Sequence, residues 1–176
     1  MEGLQASFDF SDRKRLSIIL FILLALSVFP SGCQISLFNV PGDSIQSDDR
    51  ITLKARGLQS GQYLSDDISM TYEYVRTGDS LRISGVVRFS NSIQSLFPTV
   101  STFNLALVLA DARGIVLDQQ GLTTGYDRSV GEPLSFVTTM IIPAQTTLMA
   151  FRYSGAAAGK AKDGSSTPFW HDPVVR

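Results

Sequence analysis

Residues 80–89 read Ser-Leu-Arg-Ile-Ser-Gly-Val-Val-Arg-Phe, and this run decides the class of fold. Leu81, Ile83, Val87 and Phe89 fall on one side of an extended chain together with Gly85, while Arg82, Ser84 and Arg88 fall on the other. A helix would scatter these apolar side chains around its axis. A strand, whose side chains alternate with period two, gathers them on one face. Thr77-Gly78-Asp79 supplies turn residues just before the run. Ile68 to Val75 repeats the alternation ahead of that turn, with Met70, Tyr72 and Tyr74 on one face and Thr71 and Glu73 on the other. The two runs are expected to form a hairpin, and Glu73 to pair across it with Arg82 or Arg88.

The same pattern extends in both directions. Ile51 to Arg56 alternates apolar and polar residues, and Phe103 to Ala110 is apolar on nearly both faces, as a central strand is. Asp111-Ala112-Arg113-Gly114 marks a turn before a return strand at Ile115 to Asp118. Ser135 to Ile142 and Thr147 to Ser154 complete the set, separated by Pro143-Ala144-Gln145. No segment shows a strong amphipathic helical period. Short strands at close, turn-marked intervals predict an all-β domain over residues 51–155, an immunoglobulin-like antiparallel β-sandwich of about seven strands. A small open β-barrel is the alternative. The paired cysteines and central tryptophan of antibody domains are absent, so the expectation rests on strand pattern alone.

Composition narrows the chemistry. The chain has 176 residues with 15 Lys+Arg against 16 Asp+Glu, so no basic surface for nucleic acid is expected. A single Cys excludes an intramolecular disulfide and a multi-thiolate zinc site, and a single His excludes a histidine cluster. Glycine-rich phosphate loops and the Gly-x-Ser-x-Gly run of serine hydrolases are also missing. No cofactor, metal or catalytic residue is expected.

The apolar excess begins near the N-terminus. Residues 16–29 (LSIILFILLALSVF) hold 12 apolar residues in 14, preceded by Arg13-Lys14-Arg15 and followed by Pro30-Ser31-Gly32. A bilayer core of ~30 Å needs ~20 residues of helix. Fourteen are too few, and Pro and Gly oppose continuation. A basic cluster, a short apolar stretch and a small-residue end predict an export signal over residues 1–32, drawn as an apolar helix. An uncleaved anchor extended by Ile35, Leu37, Phe38 and Val40 is the rival reading.

The junction Val28-Phe29-Pro30-Ser31-Gly32-Cys33 resembles the lipobox of bacterial lipoproteins. Ser31 and Gly32 match its small positions, while Pro30 stands where that family usually has Leu. The resemblance covers roughly residues 13–33. It implies cleavage between Gly32 and Cys33 and acylation of Cys33, so that membrane lipid is the first partner. Gln34, in place of the Asp that retains such proteins in the inner membrane, implies an outer-membrane anchor facing the periplasm. Each buried methylene contributes ~0.8 kcal/mol, so two or three acyl chains hold a protein to a membrane without spanning it.

After Cys33, residues 33–50 are expected to act as a tether, with turn-forming runs at Pro41-Gly42-Asp43-Ser44 and Ser47-Asp48-Asp49-Arg50. Residues 156–176 are expected to be a flexible segment ending in an aromatic patch. Phe169, Trp170 and His171 in that patch are the candidate interaction surface, by docking back on the sandwich or onto a partner. Asp48-Asp49 and Asp66-Asp67 lack the spacing of a calcium loop and read as turn carboxylates. The function expected is a membrane-anchored envelope lipoprotein whose sandwich binds an envelope protein or polymer. The alternatives are a lipid-anchored hydrolase with a loop-built site, which requires a pocket joining His171 to a Ser or Asp from another strand, and a single-pass inner-membrane protein.

Overall fold

The computed structural model describes residues 42–159 and 166–175. The expected signal helix over residues 1–32, with Gly32, Cys33 and the start of the tether, lies outside the described residues.

The fold is all-β with antiparallel sheets. In chain order the elements are β1 (Ser44–Ile45), β2 (Ile51–Thr52), β3 (Leu58–Leu64), β4 (Ile68–Thr77), β5 (Ser80–Phe89), a short helix α1 (Asn91–Leu96), β6 (Thr99–Ala110), β7 (Val116–Ser129), β8 (Leu134–Ile141), β9 (Leu148–Ala158), β10 (Ser166–His171) and β11 (Val174–Val175). One sheet runs β3-β4-β5-β8. The other runs β10-β9-β6-β7, with β2 sharing the outer edge of β9 beside β10. The two sheets face each other across one apolar core, where Tyr72 of the first meets Phe151 of the second with ring centres 5.0 Å apart and Phe89 meets Phe103 at 5.3 Å.

The decisive run behaves as its alternation requires. Leu81, Ile83, Val87 and Phe89 are buried, as are Ile68, Met70, Tyr72 and Tyr74 opposite them. Their hairpin closes on Gly78-Asp79, where Gly78 takes the left-handed φ of +60° that a two-residue turn between twisted strands requires. Glu73 lies opposite Ser84, whereas Arg82 faces Val75 and Arg88 faces Ser69, so the register puts no arginine directly across from it.

Both sheets carry an inward row in which glycine alternates with an aromatic residue. In the first, Gly61 pairs with Tyr72, Tyr72 with Gly85, and Gly85 with Phe136. In the second, Phe169 pairs with Gly155, Gly155 with Phe103, and Phe103 with Gly125. A ring leaning along the sheet needs an empty neighbouring position. A Cβ on Gly61 would stand 2.5 Å from the Tyr72 ring, and one on Gly155 would collide with Phe169.

A smaller apolar cluster lies on the opposite side of the five-stranded sheet. Val108 and Ala110 of β6, Ala150 of β9 and Val116 of β7 point away from the main core and are covered by Ile45 and Val174. Those last two belong to the β1–β11 ribbon, where Ser44 pairs with Val175 and Ile45 with Val174. The stretch expected to act as a tether therefore enters the fold from Ser44 onward, because Ile45 finds an apolar site to fill. The C-terminal stretch also differs from the expected loose segment. β9 continues past Gly155 to Ala158, and Ser166–His171 pairs along it as β10. What draws β10 in is Phe169, buried in the main core against Phe89, Phe103 and Tyr153.

Candidate binding groove

The exposed face of the five-stranded sheet is built from residues that alternate with the core. Phe169 points inward, so Trp170 points outward. By the same parity Ser154 and Arg152 of β9, Asn104 and Ala106 of β6, and Thr124 of β7 share that outer face. The register sets Trp170, Ser154, Asn104 and Thr124 in one row across four strands. At ~4.8 Å per strand this row is about 14 Å long. The ribbon stands over one end of the face and leaves the remainder open.

The result is a groove of about 650 Å³. Its floor is small, with Ala106, Gly121 and Ser154, and Trp170 stands at its β10 side with 67% of its surface exposed. Asn104, Thr124, Gln119, Arg152 and Asp172 supply hydrogen-bonding groups around it. Arg152 is held in place, donating to Gln119 Oε1 at 3.0 Å and pairing with Asp172. The second oxygen of Asp172 accepts from the Val174 amide at 3.1 Å, tying this pair to the ribbon. A pinned guanidinium and carboxylate present donors and acceptors in fixed directions, at a lower ordering cost than mobile side chains would carry. Tyr126, 65% exposed, continues the outer face beyond Thr124.

A second cavity of about 510 Å³ opens on the other side of Trp170. Asp48 and Asp49 from the turn before β2, Asp66 and Asp67 from the β3–β4 turn, Tyr63, Tyr153 and His171 line it. His171 Nε2 lies 2.9 Å from Asp49 Oδ1. The Tyr153 hydroxyl donates to Asp67 Oδ2 at 2.9 Å and lies 2.9 Å from Ser65 Oγ. Ser65 in turn hydrogen-bonds the backbone of Ile68. The two polar pairs are separate, for no hydrogen bond joins Ser65 to His171 among the described residues. Nor do three metal-ligating side chains converge among them.

Burial raises the phenol pKa of Tyr63 from 10.0 to about 12, with the charges of Asp49 and Asp67 adding to the shift. Burial also raises that of Tyr153, again with Asp67 contributing. A group whose pKa rises on folding stabilises the fold fully below its unfolded value, and loses that contribution as pH climbs through the folded value. Stability is therefore expected to fall between pH 10.0 and about 12. Tyr63→Phe should make the fall shallower in chemical denaturation at a series of pH values. An unchanged slope would show that Tyr63 is not a buried neutral phenol.

The three residues of the C-terminal candidate surface thus have three different placements. Phe169 is in the core, Trp170 is exposed at the groove, and His171 faces the acidic cavity on a carboxylate. In sequence Asp48-Asp49 and Asp66-Asp67 read as turn carboxylates. Folding brings both into one cavity because β3 returns the chain beside the turn that precedes β2. No family model matches the chain, and no curated protein matches it.

Proposed function

We propose that this protein is a membrane-anchored lipoprotein of a bacterial cell envelope, non-catalytic, holding an envelope component in the groove beneath Trp170. The observation that carries the anchor is the run of basic residues, 14-residue apolar stretch and Ser31-Gly32-Cys33. Acylation of Cys33, cleavage after Gly32 and an outer-membrane position facing the periplasm follow from the lipobox resemblance. The binding role is supported by the open groove, with its exposed tryptophan and fixed polar groups. Sites of this composition, mostly apolar with a few oriented polar groups, are the usual form of a ligand cleft. The domain is read as an immunoglobulin-like sandwich in the broad sense, supported by two antiparallel sheets around one core and chain crossings between them.

The test is the mass of the membrane-extracted chain beside Cys33→Ala. The expected result is loss of residues 1–32 with added acyl mass on the wild type, and neither change on the variant. An unmodified, uncleaved N-terminus with the variant still membrane-bound would instead establish the single-pass protein.

One observation favours a second reading, the lipid-anchored hydrolase: His171, oriented by Asp49, faces the cavity that Asp67 also lines. Against it, the Ser65 hydroxyl is engaged by Tyr153 and Ile68 rather than by the imidazole. A triad nucleophile must hydrogen-bond its base. Ester or peptide hydrolysis by the full chain that vanishes in His171→Asn would replace the binding reading.

A further inference from the structure

We propose that the groove binds a neutral saccharide chain, with Trp170 as its stacking platform. The inference rests on the reading of the sandwich as a binding domain and specifies the ligand. A pyranose ring presents an apolar face of C–H groups and a rim of hydroxyls. It is therefore recognised by a flat exposed aromatic together with planar amide, guanidinium and carboxylate groups that hydrogen-bond the rim. The groove combines these elements. The indole of Trp170 is 67% exposed and Phe169 beside it is anchored in the core, so an accessible ring projects from a held backbone. The row from Trp170 passes Ser154 and Asn104 to Thr124. Arg152, Asp172 and Gln119 form a fixed polar cluster at the end nearer the ribbon. The floor of Ala106, Gly121 and Ser154 carries no bulky side chain to keep a sugar ring from the sheet.

Charge selects among saccharides. Within the groove Asp172 is paired with Arg152, and the adjoining cavity adds Asp48, Asp49, Asp66 and Asp67 with no Lys or Arg among its lining residues. This local excess of negative charge repels polymers rich in uronate or phosphate and tolerates neutral hexose or N-acetylhexosamine units. The row of about 14 Å from Trp170 to Thr124 is longer than one sugar ring and suits an extended chain rather than a single sugar. The outer face continues on the β7 side to Tyr126, which offers a second aromatic surface.

Trp170 is the only tryptophan in the chain, so tryptophan fluorescence reports on this one side chain at the rim of the groove. The experiment titrates the full, detergent-extracted protein with N-acetylglucosamine hexamer, glucose hexamer and polygalacturonate, reading acrylamide quenching and, in parallel, calorimetry. The expected result is saturable protection of Trp170 by at least one neutral hexamer and none by polygalacturonate. Trp170→Ala should weaken calorimetric binding roughly tenfold and Trp170→Phe should restore most of it. The exposed position leaves the melting temperature of both variants close to wild type, which separates lost binding from lost fold. No saturation with either neutral hexamer, undiminished binding by Trp170→Ala, or equal binding of polygalacturonate would each overturn the proposal. None of these results bears on acylation of Cys33, which the mass measurement decides independently.

Discussion

Phe103→Ala is expected to cost about 3–5 kcal/mol of folding stability, toward the top of the range for removal of a buried ring. Phe103 is 1% exposed and packs against Phe89 at 5.3 Å, Tyr153 at 6.2 Å and Phe169 at 6.3 Å between ring centres. Its strand neighbours on the same inward row are Gly155 and Gly125. Neither has a side chain to move into the space, so the cavity cannot close by local collapse. Both sheets lose partners, because Phe89 belongs to the one opposite. Urea denaturation checks this through the midpoint at unchanged slope. A loss below about 1 kcal/mol would mean that the aromatic cluster is not what joins the sheets.

Gly85→Ala is the second large effect, and its comparison with Gly155→Ala identifies the cause. A methyl at Gly85 would stand 2.6 Å from the Thr71 carbonyl oxygen and 2.8 Å from the Phe136 ring. The carbonyl belongs to β4, whose backbone is paired on both sides and cannot yield without breaking the ladder. Overpacking of this kind costs about 1–3 kcal/mol, and fixed backbone places Gly85→Ala at the upper end. At Gly155 the nearest atoms all belong to the Phe169 side chain. Adding Phe169→Leu to Gly155→Ala should therefore recover much of the loss, whereas adding Phe136→Leu to Gly85→Ala should recover little. Thermal melts of these variants together with Phe169→Leu and Phe136→Leu alone, six in all beside wild type, complete the two double-mutant cycles. Equal recovery at both sites would show that ring crowding alone sets the cost.

The difference between what was legible in the sequence and what was not follows from which face of each strand carries the pattern. β4, β5, β6 and β8 announce themselves because their inward residues are apolar and their outward residues are not, or because both are apolar. β3 carries Gln59, Gly61 and Tyr63 inward and leaves Leu58 and Leu64 exposed, so its alternation is absent or reversed. Gly61 is there to admit the Tyr72 ring, a requirement set by another strand. β7 runs from Val116 to Ser129, mostly polar, because it is an edge strand whose inward residues are few; only its start read as a strand. β10 has a single core residue, Phe169, and a proline that argues against a strand except at an edge, which is where it lies.

The candidate site was less legible for the same reason. Asn104 sits on a strand that reads as central, and Arg152 and Ser154 on the strand that reads from Thr147 to Ser154; nothing in the sequence marks the three as neighbours. Only the register, which sets Trp170 beside Ser154 and Ser154 beside Asn104, makes them one surface. Trp170 was visible as part of an aromatic patch, but its separation from Phe169 required the parity of β10. The pairing of His171 with Asp49 joins residues far apart in the chain, and no local signal marks it.

The β1–β11 ribbon has a consequence for force. In the anchored protein proposed here, a load carried by a ligand in the groove reaches the membrane through the chain just ahead of Ser44. β1 is held there by two residue pairs to β11 and by backbone bonds between residues 43–45 and 114–116. These few bonds lie in series with the anchor, while the main core lies beyond them. Tension therefore opens the ribbon first and, among the described residues, uncovers the cluster of Val108, Ala110, Val116, Leu148 and Ala150, which is distinct from the one that joins the two sheets. Several residues of slack are released before the groove itself is pulled apart, so the anchored domain yields in length before it yields its ligand.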